Sequence, residues 1–215
     1  GQEAREHGRG SLELGDRALV TGITRCEPRP ECDAFMRGEG GVAGLRLHNS
    51  AAVIDGVSGV PRLSQVYDKF HLVPFGEYMP LGGLLEFLNN FIRIPMSDIA
   101  AGEGFRTIRL AGYEAAASIC YESAYPDVFR KQLPGAAFLI NVSNHAWFGN
   151  SLAPHQHLEI ARMRALEAGR YLLRATNTGI SAIIDPQGGI TARSPQFETD
   201  VLTGQIQPMQ GYTPF

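Results

Sequence analysis

Residues 115–123, Ala-Ala-Ala-Ser-Ile-Cys-Tyr-Glu-Ser, run from small and apolar positions into a cysteine, an aromatic ring and a carboxylate. Such a run is the pattern of a strand buried on both faces. The carboxyl end of a buried strand is where an α/β sheet presents reactive groups to a crevice. Cys120 at that end is a candidate nucleophile. It is equally a candidate for a small buried hydrophobe, since free cysteine is among the most buried residue types and a reactive thiol needs surroundings that favour the thiolate.

Two further stretches bear on that choice. Lys69 stands in Tyr-Asp-Lys-Phe-His-Leu-Val-Pro-Phe-Gly-Glu, just before Gly76-Glu77. A strand lysine is usually a solvated edge residue; beside a thiol it would hold a thiolate and later stabilise an oxyanion. Glu77, after a glycine at a turn, reads either as a surface carboxylate or as the partner that positions the lysine. The third stretch, residues 141–149, is Asn-Val-Ser-Asn-His-Ala-Trp-Phe-Gly and holds the only Trp of the chain. Asn144 and Trp147 there could line a pocket for an acyl group, or the Trp could pack a loop to the core. His145 invites a Cys–His dyad reading.

These groups need a sheet to hold them. Strands are expected at 18–23, 49–55, 65–74, 105–110, 113–120, 136–143, 180–185 and 199–208, with helical segments at 81–94, 127–133 and 155–173. Strands alternating with helices, with antiparallel excursions, argue for an α/β layered domain. The 81–94 segment carries Leu84, Leu85, Leu88, Phe91 and Ile92 at helical spacing, too apolar for a free surface helix. It is expected to be an arm or lid that meets lipid.

Composition narrows the function classes. The chain has 215 residues, 44% hydrophobic and 19% charged, with a net charge of -3. That is ordinary globular composition, and it gives no reason to expect nucleic-acid binding. No apolar run approaches the length of about 18 residues needed to span a bilayer. Of the three cysteines, Cys26 and Cys32 lie six apart in a Pro-containing loop and could close a small disulfide ring in an oxidising compartment. No second Cys or His pair with ligand spacing accompanies them, so neither a metal nor a cofactor is expected.

Lys69 and Cys120 in these contexts resemble the second and third catalytic motifs of the nitrilase superfamily. The longer motifs at 71–77, 143–149 and 156–167 are similar to those of its apolipoprotein N-acyltransferase branch. The resemblance runs from about Ala18 to Phe215. It implies an αββα sandwich and a Glu–Lys–Cys triad, with residues 1–215 forming part of a carbon-nitrogen hydrolase catalytic domain. By this likeness Cys120 is the nucleophile, Lys69 the oxyanion stabiliser and Glu77 a supporting carboxylate, with Tyr121 and Glu122 flanking the thiol. The branch implies a phospholipid acyl donor, an apolipoprotein acceptor, and a catalytic domain on the periplasmic side of a bacterial inner membrane.

The resemblance also sets expectations about what these residues lack. The triad glutamate, its opening strand and the flanking membrane helices belong outside residues 1–215, so the isolated piece is expected to be inactive and poorly soluble. The family commonly carries aspartate where this chain has His145. Two other readings stay open at this point: a soluble nitrilase-type amidase, and a nitrilase-like module that binds without catalysis.

Overall fold

The structure, a computed structural model, describes residues 18–27, 32, 34, 37, 46–57, 60–78 and 99–215. Three antiparallel strands, β1 (Ala18–Cys26), β2 (Leu47–Val57) and β3 (Val60–Asp68), form one sheet in the order β1-β2-β3. A six-stranded sheet follows in sequence order, from β4 (Thr107–Leu110) and β5 (Tyr113–Ile119) through β6 (Phe138–Ser143) and β7 (Leu172–Thr176) to β8 (Ala182–Ile184) and β9 (Ile190–Arg193). Its centre, β5-β6-β7, is parallel, and both margins are antiparallel. Helix α1 (Pro126–Arg130) lies between β5 and β6, and α2 (Ala153–Ala168) between β6 and β7.

Alternation along the strands builds two cores. Ala115, Ala117, Ile119, Ile140 and Val142 face Ala51, Val53 and Tyr67 of the smaller sheet. Ala116, Leu139, Leu172 and Ile184 face Phe129 of α1 and Leu158, Ala161 and Ala165 of α2. Every residue of β6 is buried, as expected of a parallel strand covered on both faces. The described residues thus form helix, sheet and sheet, three successive layers of an αββα sandwich. Ala161 and Ala165 are fully buried and let α2 lie close on the sheet; a larger side chain there would cost about 1–3 kcal/mol by overpacking.

Several boundaries differ from the sequence reading. The helix expected over 155–173 ends at Ala168, because Gly169 turns left-handed at φ 57 and its N–H closes the last turn. Leu172 and Leu173 then enter β7 instead. The 65–74 strand starts earlier and stops at Asp68, which places Lys69 just past its end. Residues 199–208 form no strand; the last one is β9, whose four residues alternate between half-buried and exposed and are too few to show a period. The hairpin between β4 and β5 turns at Ala111 (φ 48) and Gly112 (φ 83), the positive-φ pair of a tight two-residue connection. The 81–94 segment and residues 1–17 lie outside the described residues.

Cys26 and Cys32 are joined as a disulfide, and Cys120 is a free thiol. Among the described residues, no helix is long and apolar enough to cross a membrane.

Candidate active site

The carboxyl ends of β5, β6 and β7 converge, and each delivers a polar group. Cys120 leaves β5 at φ 53, a left-handed conformation that costs a residue with a side chain roughly 1–3 kcal/mol. It opens a short 3₁₀ turn, Cys120–Ala124. The turn is held from two sides: Ser123 Oγ donates to the Cys120 carbonyl at 3.2 Å, and Asn141 Nδ2 of β6 donates to it at 3.3 Å. The strain at the thiol is therefore maintained by its neighbours. The side chain itself is partly exposed.

Glu122 is the anchor of this turn. Its carboxylate is fully buried and accepts the backbone N–H of Ile119 at 2.7 Å and those of Phe70 and His71 at 2.9 Å each. Tyr67 Oη donates to both carboxylate oxygens, at 3.3 and 3.2 Å. Burial pushes the Glu122 carboxyl up, while the N–H groups of His71, Ile119 and Phe70 and the charge of Lys69 pull it back. Burial and the facing carboxylate push the Tyr67 phenol far above its ordinary value, so it remains a donor. Glu122 joins the turn carrying Cys120 to the segment carrying Lys69. The flanking role expected of it was an understatement.

Lys69 is 1% exposed, which removes the edge-lysine reading. Its backbone N–H donates to Asn49 O at 2.8 Å and its carbonyl accepts from Gly102 N at 2.8 Å, so the position is fixed before the side chain is considered. Its ammonium donates to Glu77 Oε2 at 2.7 Å. The same carboxylate accepts from Val73 N at 2.8 Å and, on its other oxygen, from the amide of Asn49. Glu77 is thus a buried partner of the lysine and not a surface acid. Burial pushes the Cys120 thiol up; Lys69 is the largest influence against it, followed by the Tyr121 N–H, while Glu77 adds to the upward push and Arg174 opposes it. A cation beside a half-buried thiol, itself clamped by a carboxylate, can stabilise a thiolate and then an oxyanion formed on the same carbon.

The loop after β6 supplies the rim. Trp147 is 62% exposed, and Tyr121 is partly exposed with its ring edge against Tyr125. Asn144 has its carbonyl oxygen engaged by Ala146 N at 3.0 Å and Asn177 Nδ2 at 2.7 Å, so it shapes the loop. The His145 ring turns its Nε2 to His157 and Arg174, at 3.2 and 3.0 Å. Burial lowers its pKa to about 3 and that of His157 to about 4, leaving both neutral near pH 7. A Cβ at Gly179 would come within 2.1 Å of His145 Nδ1, so only glycine fits there. Among the described residues, no group of three His, Cys, Asp or Glu side chains is placed to hold a metal ion.

Asn49, Tyr67, Asn141 and Arg174 escaped the sequence reading. Two of them had a visible signal: Asn141 in Leu-Ile-Asn-Val and Arg174 in Leu-Leu-Arg-Ala interrupt runs that should be apolar on both faces. Asn49 and Tyr67 had none, since each sits in a strand where a polar or aromatic residue is ordinary.

Residues 27–212 match the carbon-nitrogen hydrolase family. The chain belongs to that family. Solved members share the fold: Nit3 of Saccharomyces cerevisiae, of the nitrilase superfamily, superposes with a TM-score of 0.56 at 21% identity over 85% of this chain and 57% of its own. A carbon-nitrogen hydrolase from Helicobacter pylori gives 0.54 at 20% identity over 82% and 57%. Among curated proteins, an apolipoprotein N-acyltransferase of Methylococcus capsulatus is 53% identical over 69% of this chain and 30% of its own length. That of Pseudomonas syringae pv. tomato is 44% identical over 92% and 36%. The chain spans about a third of the length of the curated relatives it matches.

Proposed function

We propose that the protein carrying this carbon-nitrogen hydrolase chain transfers a fatty acyl group from a phospholipid to the α-amino group of a diacylglyceryl-cysteine, the first residue of an apolipoprotein. The observation that carries the reading is the buried Lys69–Glu77 pair, which Glu122 ties to the turn of a free, partly exposed Cys120. The similarity to apolipoprotein N-acyltransferases at 44–53% identity supports the choice of substrates.

The chemistry follows from the groups. The Cys120 thiolate attacks the carbonyl carbon of the sn-1 ester, and the electron pair moves to the carbonyl oxygen, where the Lys69 ammonium meets the charge. Collapse expels the glycerol oxygen, which takes a proton and leaves as a lysophospholipid, with a thioester on Cys120. The acceptor amine then attacks the thioester carbon, its N–H proton passes to the same base that took the thiol proton, the thiolate leaves, and an amide is formed. A thiol suits this relay because it both attacks readily and leaves readily. The thiol proton passes to a glutamate that the family resemblance assigns to a part of the protein outside these residues; residues 1–215 would then be part of a catalytic domain.

Trp147 of the loop after β6 and Phe75 of the turn that carries Glu77 are exposed apolar groups of the kind that would meet an acyl chain. The Cys26–Cys32 disulfide favours an oxidising compartment such as the periplasm, which agrees with a domain held at the outer side of an inner membrane. The test is a transfer assay with the full-length protein, a phospholipid and a diacylglyceryl peptide, read as one acyl mass added at the peptide N-terminus. Cys120→Ala should abolish it. Hydrolysis of small soluble amides with no acyl transfer would replace this reading by that of an amidase.

A further inference from the structure

Arg174 lies in the middle of β7, is 3% exposed, and has no carboxylate within ion-pair distance among the described residues. A buried charge normally has a partner, because removing an ion from water costs several kcal/mol. Here the guanidinium donates instead to two neutral groups, the carbonyl oxygen of the Asn141 amide and Nε2 of His145 at 3.0 Å. Its Nε finds no acceptor.

The bond to Asn141 has a directional consequence. An arginine only donates, so it turns the amide oxygen of Asn141 toward β7. The amide nitrogen must then face the other way. There it donates to Ser118 Oγ at 2.9 Å and to the Cys120 carbonyl at 3.3 Å. Ser143 Oγ adds a second donor to the same amide oxygen at 3.0 Å. The left-handed turn at Cys120 is thus held by an amide whose orientation Arg174 sets. His145 does not offset the charge: its Nε2 accepts from Arg174 and lies 3.2 Å from His157 Nδ1, so the ring is neutral with its proton on Nδ1.

We propose that Arg174 is a positioning residue for Cys120: it orients Asn141 to hold the nucleophile's turn, and its charge, which no carboxylate among the described residues pairs, favours the thiolate. The proposal rests on Cys120 being the acyl-carrying thiol. The charged and titratable groups around that thiol are Lys69 and Glu77 from the segment after β3, Glu122 in its own turn, Arg174 on β7, His145 after β6 and His157 on α2. Lys69 is neutralised by Glu77 at 2.7 Å and Glu122 is surrounded by donors, which leaves Arg174 as the cation near the thiol with no acidic partner among the described residues. Burial is the largest influence on the thiol and raises it; Arg174 acts downward in the same sense as Lys69 and the Tyr121 N–H, and more weakly than either.

The test reads the thiol without any lipid substrate. The rate of iodoacetamide alkylation of the Cys120 peptide is followed against pH in the intact full-length protein, alongside three variants. Arg174→Gln removes the charge, and His145→Asp leaves the arginine in place but sets a carboxylate against it. Both should raise the midpoint of alkylation and slow it about two- to threefold at neutral pH, as a shift of roughly 0.3–0.5 unit requires. Arg174→Lys should keep the midpoint but lower kcat for acyl transfer, because it loses the fork that orients Asn141. If Arg174→Gln does not fold, His145→Asp alone decides. An unchanged midpoint in the folded charge-neutralised variants would overturn the proposal. The alkylation midpoints involve no acyl donor, so that outcome is independent of whether the transfer assay succeeds.

Discussion

The ammonium of Lys69 donates to Glu77 Oε2 at 2.7 Å, and both groups are buried. The pair bridges the end of β3 and the turn after it, so the cation is held by a residue eight positions away along the chain. An ion pair of this kind separates stability from catalysis in an experiment. Lys69→Met should lower acyl transfer by about 10²–10³-fold and destabilise the fold by about 3–5 kcal/mol, since it leaves Glu77 uncompensated. The double variant Lys69→Met/Glu77→Gln should recover most of the stability and none of the activity. Paired thermal melts and transfer assays check this; full activity in folded Lys69→Met would return the lysine to a structural role.

Glu122 should matter to stability more than a residue beside a nucleophile ordinarily does. Glu122→Gln sets an amide N–H₂ among donors, so about 1–3 kcal/mol should be lost. Tyr67→Phe, which removes one of four donors, should cost only about 1 kcal/mol. Urea midpoints for the two variants give the comparison. Equal losses would mean that the carboxylate is not the anchor of the turn.

The outline of the site was legible in the sequence because two of its key residues stand out chemically. A cysteine ending an apolar run and a lysine among aromatics each drew the eye, and β5 and β6 follow apolar runs as plain as any in the chain, whereas β7 was hidden in the end of the helix expected over 155–173. Burial was not legible. Lys69 and Glu77 look like surface residues until the turn at 73–77 folds the carboxylate back onto the ammonium. Asn49 and Tyr67 are ordinary strand residues, and their roles depend on pairing between segments 28 and 55 positions apart. The strand expected at 199–208 did not form, and the edge beside β8 is taken by β9.

Acid should weaken the fold well before the carboxylates titrate. His145 and His157 have ordinary values of 6.5 and are lowered to about 3 and about 4 by burial. Between about pH 6.5 and 4 the unfolded chain binds both protons while the folded chain resists them. Stability therefore falls as the pH drops, by up to about 1.4 kcal/mol per unit for each histidine. Glu122, pushed up by burial, works in the opposite sense over the lower part of that range. Melting temperature against pH should show the decline, and His157→Gln should flatten it; an unchanged slope would place the acid sensitivity elsewhere.

Trp147 should act on substrate and not on the fold. It is largely exposed, so Trp147→Ala should shift the melting temperature little while raising the KM for the phospholipid several-fold. A large loss of stability with unchanged KM would make the ring a packing element of the loop after β6.

The central claim is that Cys120 carries the acyl group, and trapping that intermediate tests it most directly. The full-length protein is incubated with a phospholipid labelled in the sn-1 chain, with no acceptor, and the Cys120 peptide is weighed before and after hydroxylamine. The account predicts one acyl mass on that peptide, removed by hydroxylamine as a thioester requires, and no adduct in Cys120→Ala. Acyl transfer that persists in Cys120→Ala, or a stable adduct on a different residue, would contradict it.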